Sequence, residues 1–297
     1  MMKTGLRTGL SRRAAISAIL GLAWIGAASA EPVSVSVTSS SQYQFTKIDR
    51  GSAPVPGADD LTMHSAISET AVQIMPYDSP VDFQADVSVA NNWFFGDWRG
   101  QQTTDWHLGM ALYARDANWG IVGLETAIGG LEGISGTNSK SSANLRRIGV
   151  RADYFWNDYV TSINRVGYVD LEGAVYDMKG LYGNAGVNWY LTDNFAAKFD
   201  FDYALLNVSN RPQLELWATT VESEYLAGQI FGTDAALFAG ARMSEFETGG
   251  PWYNEFQGFG GLRMYFGGNT TLRDHHRSGP QENNSAVLER LPFAMPY

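Results

Sequence analysis

The stretch Asn194-Phe195-Ala196-Ala197-Lys198-Phe199-Asp200-Phe201-Asp202-Tyr203-Ala204-Leu205 decides the fold. Its side chains sort with period two. Phe195, Ala197, Phe199, Phe201, Tyr203 and Leu205 fall on one side, and Ala196, Lys198, Asp200, Asp202 and Ala204 on the other. One face is apolar enough for hydrocarbon while the opposite face carries charge, the signature of a strand whose two sides meet different solvents. A soluble antiparallel sheet also alternates, so one strand does not choose between the two. The pattern recurs along the chain and follows an export signal, which points to a transmembrane β-barrel.

That signal occupies residues 1–30. Lys3, Arg7, Arg12 and Arg13 form a basic region, residues 15–26 an apolar core, and Ala28-Ser29-Ala30 a small-residue cleavage site, with the cut expected after Ala30. The apolar run is about 12 residues, too short to span a bilayer comfortably. No later segment approaches the roughly 18 uninterrupted apolar residues of a membrane helix. Export without a single cysteine excludes a disulfide framework, and a closed barrel can do without one because every ladder group is satisfied and no edge remains. The signal holds four of the 21 basic residues and none of the 31 acidic ones, leaving a net charge of about −14 that disfavours nucleic acid as a partner.

Strand-like segments are expected at 33–47, 63–75, 81–93, 105–115, 119–128, 145–156, 163–177, 181–191, 195–207, 213–226, 234–246 and 254–266. Twelve is an even number, as single-chain bacterial barrels require, with ten as the alternative because Glu69 and the Glu222/Glu224 pair disturb two segments. The reading is therefore an all-β, antiparallel up-and-down barrel over 31–267, with a periplasmic tail over 268–297. Tight turns are expected at Asp116-Ala117-Asn118, Thr192-Asp193-Asn194, Asn157-Asp158 and 76–80, and a short hairpin on the other side at Met178-Lys179-Gly180. Longer loops are expected at 49–60, 94–104 and 129–144, with 130–143 as a mobile Gly- and Ser-rich surface loop. Trp93, Phe94, Phe95, Trp98 and Trp106 would form one interfacial girdle, and Trp156, Tyr159, Tyr190, Phe195 and Phe266 the other.

These features resemble the small, porin-like outer-membrane β-barrel proteins of Gram-negative bacteria. The residues that carry the resemblance are Leu191-Thr192-Asp193-Asn194-Phe195 as a hairpin turn and Gly261-Leu262-Arg263-Met264-Tyr265-Phe266 as a closing strand. It implies residence in the outer membrane, outer-membrane lipid around the barrel, and recognition of the terminal aromatic of the last strand, here Phe266, by the assembly machinery. The chain departs from that pattern in its tail.

Giving each strand's apolar phase to lipid places charge in the lumen. The candidates are Glu125, Arg147, Arg151, Asp153, Asp170, Glu172, Lys198, Asp200, Asp202, Arg242 and Arg263, together with Asp82, Asp86, Asp105, His107, Arg115 and Glu255. The opposite phase would expose midplane Arg or Lys to hydrocarbon at roughly 2–4 kcal/mol each. Acids outnumber bases in this set, so an open lumen would favour cations. The alternative is a structural or adhesive barrel closed by ion pairs, in which Arg147 and Arg151 pair with Glu125 on one side and Asp170 or Glu172 on the other. A soluble exported binder is less consistent with so many long aromatic strands.

Enzymatic signals are weak. Asp105-Trp106-His107 and Asp200-Phe201-Asp202 each put two polar groups on one strand face, in the reverse order to the omptin-like proteases. No G-x-S-x-G elbow is present. His275-His276 sits in what reads as a solvated tail and makes no metal site, so no catalytic residue, metal or cofactor is expected.

Overall fold

The computed structural model describes residues 33–49, 61–76, 79–96, 101–134, 140–173, 177–249, 252–267 and 269–281. The expected leader and the expected loop at 50–60 lie outside them, as does Trp98. Twelve antiparallel strands close on themselves, each hydrogen-bonded to the next and the first to the last. They are β1 (Val33–Asp49), β2 (Leu61–Pro76), β3 (Val81–Gly96), β4 (Gln102–Asp116), β5 (Gly120–Ile134), β6 (Lys140–Asn157), β7 (Val160–Gly173), β8 (Asp177–Thr192), β9 (Phe195–Val208), β10 (Leu214–Ile230), β11 (Thr233–Thr248) and β12 (Trp252–Phe266). The seam between β1 and β12 runs from Val37 opposite Phe266 to Asp49 opposite Asn254. The opening stretch is β9, whose Phe199 and Phe201 stand on the outer wall while Asp200 and Asp202 are buried inside.

Both ends of the barrel follow from local chemistry. At the end where β1 begins, connections are tight, as at Asp116 to Gly120 and Thr192 to Phe195; this is the turn end, and the opposite one the loop end. Asp116 and Asn157 cap their turns by accepting backbone N–H groups two residues on. Phe231 and Gly232, both left-handed with φ of 54° and 78°, make a further two-residue hairpin that the sequence pattern did not announce.

The strands are 14 to 18 residues long, well beyond the roughly 9–11 needed to cross a bilayer, so the ladders continue past any apolar band. Two expectations change for this reason. Most of 130–143 belongs to β5 and β6 rather than to a loop, and 135–139 lies outside the described residues. Met178-Lys179-Gly180 is not a hairpin but the start of β8.

The outer wall carries exposed Leu124, Ile148, Val166, Leu181, Val221, Leu237 and Phe256, an apolar surface. Trp93, Phe95 and Trp106 near the loop end and Trp119, Trp156, Tyr159 and Phe266 near the turn end flank it. Phe94 and Tyr190 do not join these girdles, because both point inward and are buried. On the inner wall, glycines let large side chains lie flat. A Cβ at Gly167 would come within 2.6 Å of the Tyr182 ring, so that ring rests across the glycine.

A second inner feature is apolar. At the loop end of β5 to β11, Leu131, Val169, Leu171, Met178, Leu206, Leu214, Leu216 and Phe246 pack together inside the barrel. Arginine replacing Ile148, near the middle of β6 on the outer wall, is expected to destabilise the barrel by roughly 2–4 kcal/mol. Urea titration in lipid checks this, and the same substitution in a water-facing wall would cost almost nothing.

Candidate functional site

The lumen is the site, and its charges are set by strand parity. Glu125, Arg147, Arg151, Asp153, Lys198, Asp200, Asp202, Arg242 and Arg263 all point inward. Asp170 and Glu172 do not, which corrects the expectation that they line the lumen. In β7 the inward phase is Ile163, Arg165, Val169 and Leu171. Asp170 stands outside, paired with Lys179 at 3.2 Å, and Glu172 is paired with Arg146 at 3.4 Å. The hydrocarbon penalty acts near the midplane, and these pairs sit at the loop end, where outward charge can be solvated.

Arg165 takes the place those acids were expected to fill. The register sets it directly opposite Arg151. Two facing guanidiniums would repel, and Glu125 lies between them, 3.8 Å from Arg151 Nη1 and 3.6 Å from Arg165 Nε. Tyr113 donates its hydroxyl to Glu125 at 2.7 Å. Arg151 is further held by a forked contact to Asp153, at 2.9 and 2.8 Å. Arg147 reaches His107 at 3.3 Å, and His107 lies 3.4 Å from Asp86. On the far wall Lys198 pairs with Asp200 at 3.3 Å, and Arg263 bridges Glu222 and Glu224.

Towards the loop end Arg147, Arg165, Lys198, Glu222 and Arg263 help line a chamber of about 190 Å³. Ser40, Gln42, Gln44, Ser65, Ser88 and Asn92 make its polar wall from β1 to β3, while Leu131, Leu145 and Leu171 make an apolar one. Asp105, His107, Asp200 and Asp202 also line it, from opposite walls. Each is engaged locally: Asp105 accepts from Asn92 at 2.9 Å and Asp202 from Asn184 at 3.2 Å. Below the charged middle is a smaller cavity of about 60 Å³, room for a few waters. The two cavities share Arg165, Asn184, Lys198, Asp200, Glu222 and Arg263 as walls.

The turn end holds what the sequence reading missed. Residues 269–281 fold back against the lumen, with a short helix α1 (Leu272–Ser278) capped by Thr271, whose hydroxyl accepts the Asp274 N–H at 3.1 Å. The paired histidines are not solvated. His275 is buried, stacks on Tyr265 at 4.3 Å and lies 3.0 Å from Asp234; burial holds its pKa below the ordinary imidazole value, against the pull of Asp234. His276 reaches Glu224 at 3.2 Å and Tyr265 at 3.0 Å. The signal available in sequence was the run of polar and basic residues after β12, which no apolar pattern could place.

No family model matches the chain, and no curated protein does. Among solved structures it is similar to an outer-membrane channel from Pseudomonas putida F1, at 10% identity and a TM-score of 0.55 over 80% of this chain and 97% of that one. It is similar also to the translocator domain of autotransporter NalP from Neisseria meningitidis, at 12% identity and a TM-score of 0.53 over 86% and 98%. The chain has the outer-membrane β-barrel fold. The β domain of the Bordetella autotransporter BrkA shares it as well, at 7% identity and a TM-score of 0.50 over 78% of this chain and all of that one. A channel and two autotransporter domains share this shape, so shape alone does not assign an activity.

The two classes of ion pair should separate cleanly on substitution. Glu125→Ala removes the buried carboxylate that Arg151 and Arg165 share and is expected to cost about 3 kcal/mol or more. Glu172→Ala, at an exposed outer pair, should cost no more than about 1 kcal/mol. Parallel urea unfolding of the two variants in lipid checks the contrast, and equal costs would contradict the inward and outward placements.

Proposed function

We propose that the chain is a narrow channel of the bacterial outer membrane that passes small hydrophilic solutes and favours cations. The observation that carries this reading is the polar track through the barrel: the loop-end chamber and the cavity below it share walls of charged and amide side chains. Packed apolar residues occupy the interior at the loop end of β5 to β11, whereas the space beside them is lined by polar groups. The similar channel from Pseudomonas putida is consistent with the reading. On this view residues 1–30 are removed on export, the turn end faces the periplasm, lipid surrounds the apolar wall, and the assembly machinery reads the strand that ends at Phe266.

Cation preference rests on the inner wall. Glu69, Asp82 and Glu255 join the inward acids of the preceding section, and carboxylates outnumber Arg and Lys across that wall among the described residues. A water-filled passage bounded by low dielectric concentrates the counter-ion of its lining. A second reading, a non-conducting barrel, is favoured by the ion pairs across the charged middle.

Planar-bilayer recording of the full chain in a salt gradient tests the proposal. Discrete openings should reverse on the cation-selective side. In Asp200→Asn/Asp202→Asn the cation-to-anion permeability ratio should fall roughly fivefold, the worth of about 1 kcal/mol of Coulomb interaction in a wet lumen. Anion selectivity in the unaltered protein would overturn the preference.

A further inference from the structure

We propose that residues 272–281 are a built-in plug, seated in the turn end of the barrel and closing the track above it. The proposal rests on the channel reading. The segment is the partition between two spaces. His276, Pro280 and Gln281 line the small inner cavity from below, while Arg273, Asp274, Arg277 and Ser278 line the open recess at the turn end.

The seat is drawn from strands on both sides of the opening. The backbone N–H of Leu272 donates to Asp193 in the turn after β8, at 2.8 Å. His275 meets Asp234 of β11, and His276 meets Glu224 of β10. Arg277 donates to Thr161 of β7 at 3.0 Å and stacks over Phe155, 4.6 Å from the ring centroid, and Tyr190 at 5.5 Å. On the opposite wall Arg115 of β4 donates to the carbonyls of Arg277 and Gly279. Gln281 exchanges two hydrogen bonds with the Gln84 side chain of β3, at 2.6 and 2.7 Å, and its Oε1 accepts from Arg151 of β6 at 2.9 Å.

Such a seat is more than a tail lying on a surface. A loosely attached extension would make contacts with one or two neighbouring strands, whereas this one joins β10 and β11 to β3 and β4 across the opening. It is also separable from the barrel, because its contacts are hydrogen bonds, ion pairs, one stacked arginine and the ring contacts of its two histidines, with only Leu272 and His275 buried on α1. That is the balance expected of a segment that can leave: specific in geometry and modest in apolar area. Arg151 links it to the charged middle, since one guanidinium serves Glu125, Asp153 and Gln281.

The test uses the full chain with the barrel wall unaltered. His276→Ala/Arg277→Ala/Gln281→Ala removes the plug's side-chain contacts to Glu224, Thr161 and Arg151. Arg277→Glu is a second variant that sets a carboxylate where the guanidinium donated to the carbonyls of Asn157 and Val160 and met two ring faces. Both are compared with the unaltered protein in planar bilayers, after heat-modifiable gel migration has shown the barrel folded. Mean conductance should rise roughly tenfold or more in either variant, the effect of losing at least one charge-assisted hydrogen bond from the seated state. Equal conductance in the unaltered protein and both folded variants would overturn the plug and leave the channel standing. Silence in all three folded proteins would overturn the channel reading, and the plug with it.

Discussion

Glu125 holds apart two guanidiniums that the sheet register forces to face one another. Once β6 and β7 pair as they do, Arg151 and Arg165 are cross-strand partners on the inner wall, with no freedom to turn outward into an apolar surround. A carboxylate from β5, fixed by the Tyr113 hydroxyl, is what makes that register tolerable. Removing it would leave two buried cations without their shared anion, a loss far larger than any rim ion pair could produce. The charged middle of the lumen is thus a consequence of barrel closure as much as a lining for solute. The same Arg151 then extends the network to the chain's last described residue, Gln281.

The fold was legible because β9 and its neighbours place charge and aromatic rings in opposite phases near mid-strand, where a wrong phase is costly. Strand number, closure and most inward residues follow from that single cost. Legibility failed where the cost vanishes. Asp170 and Glu172 lie at the loop end, beyond the apolar band, so their outward placement carries no penalty and alternation alone could not find it. Val169 and Leu171 carry the matching error: apolar residues on β7 read as lipid-facing, yet they pack on Met178 and Leu206 inside. Extended Gly- and Ser-rich strand ends around 130–143 were read as loop because turn residues and exposed strand ends share a composition.

The tail was illegible for a different reason. Its residues dock through hydrogen bonds to side chains scattered from β3 to β11, and no periodicity encodes such a seat. His275-His276 read as part of a solvated tail. In the fold each histidine has its own acceptor, Asp234 and Glu224, and the two side chains serve different strands. Polar residues after the last strand are informative only once the polar lumen they could enter is known.

The breadth of that seat also dictates an order of events. Its members come from strands between β3 and β11, so a hairpin or a few paired strands cannot present it. Gln84 and Glu224 stand on opposite sides of the opening, and one short segment spans them only when the sheet has curled towards closure. Residues 272–281 are therefore among the last described parts of the chain able to find their place. Their docking is a mark of a ring near completion.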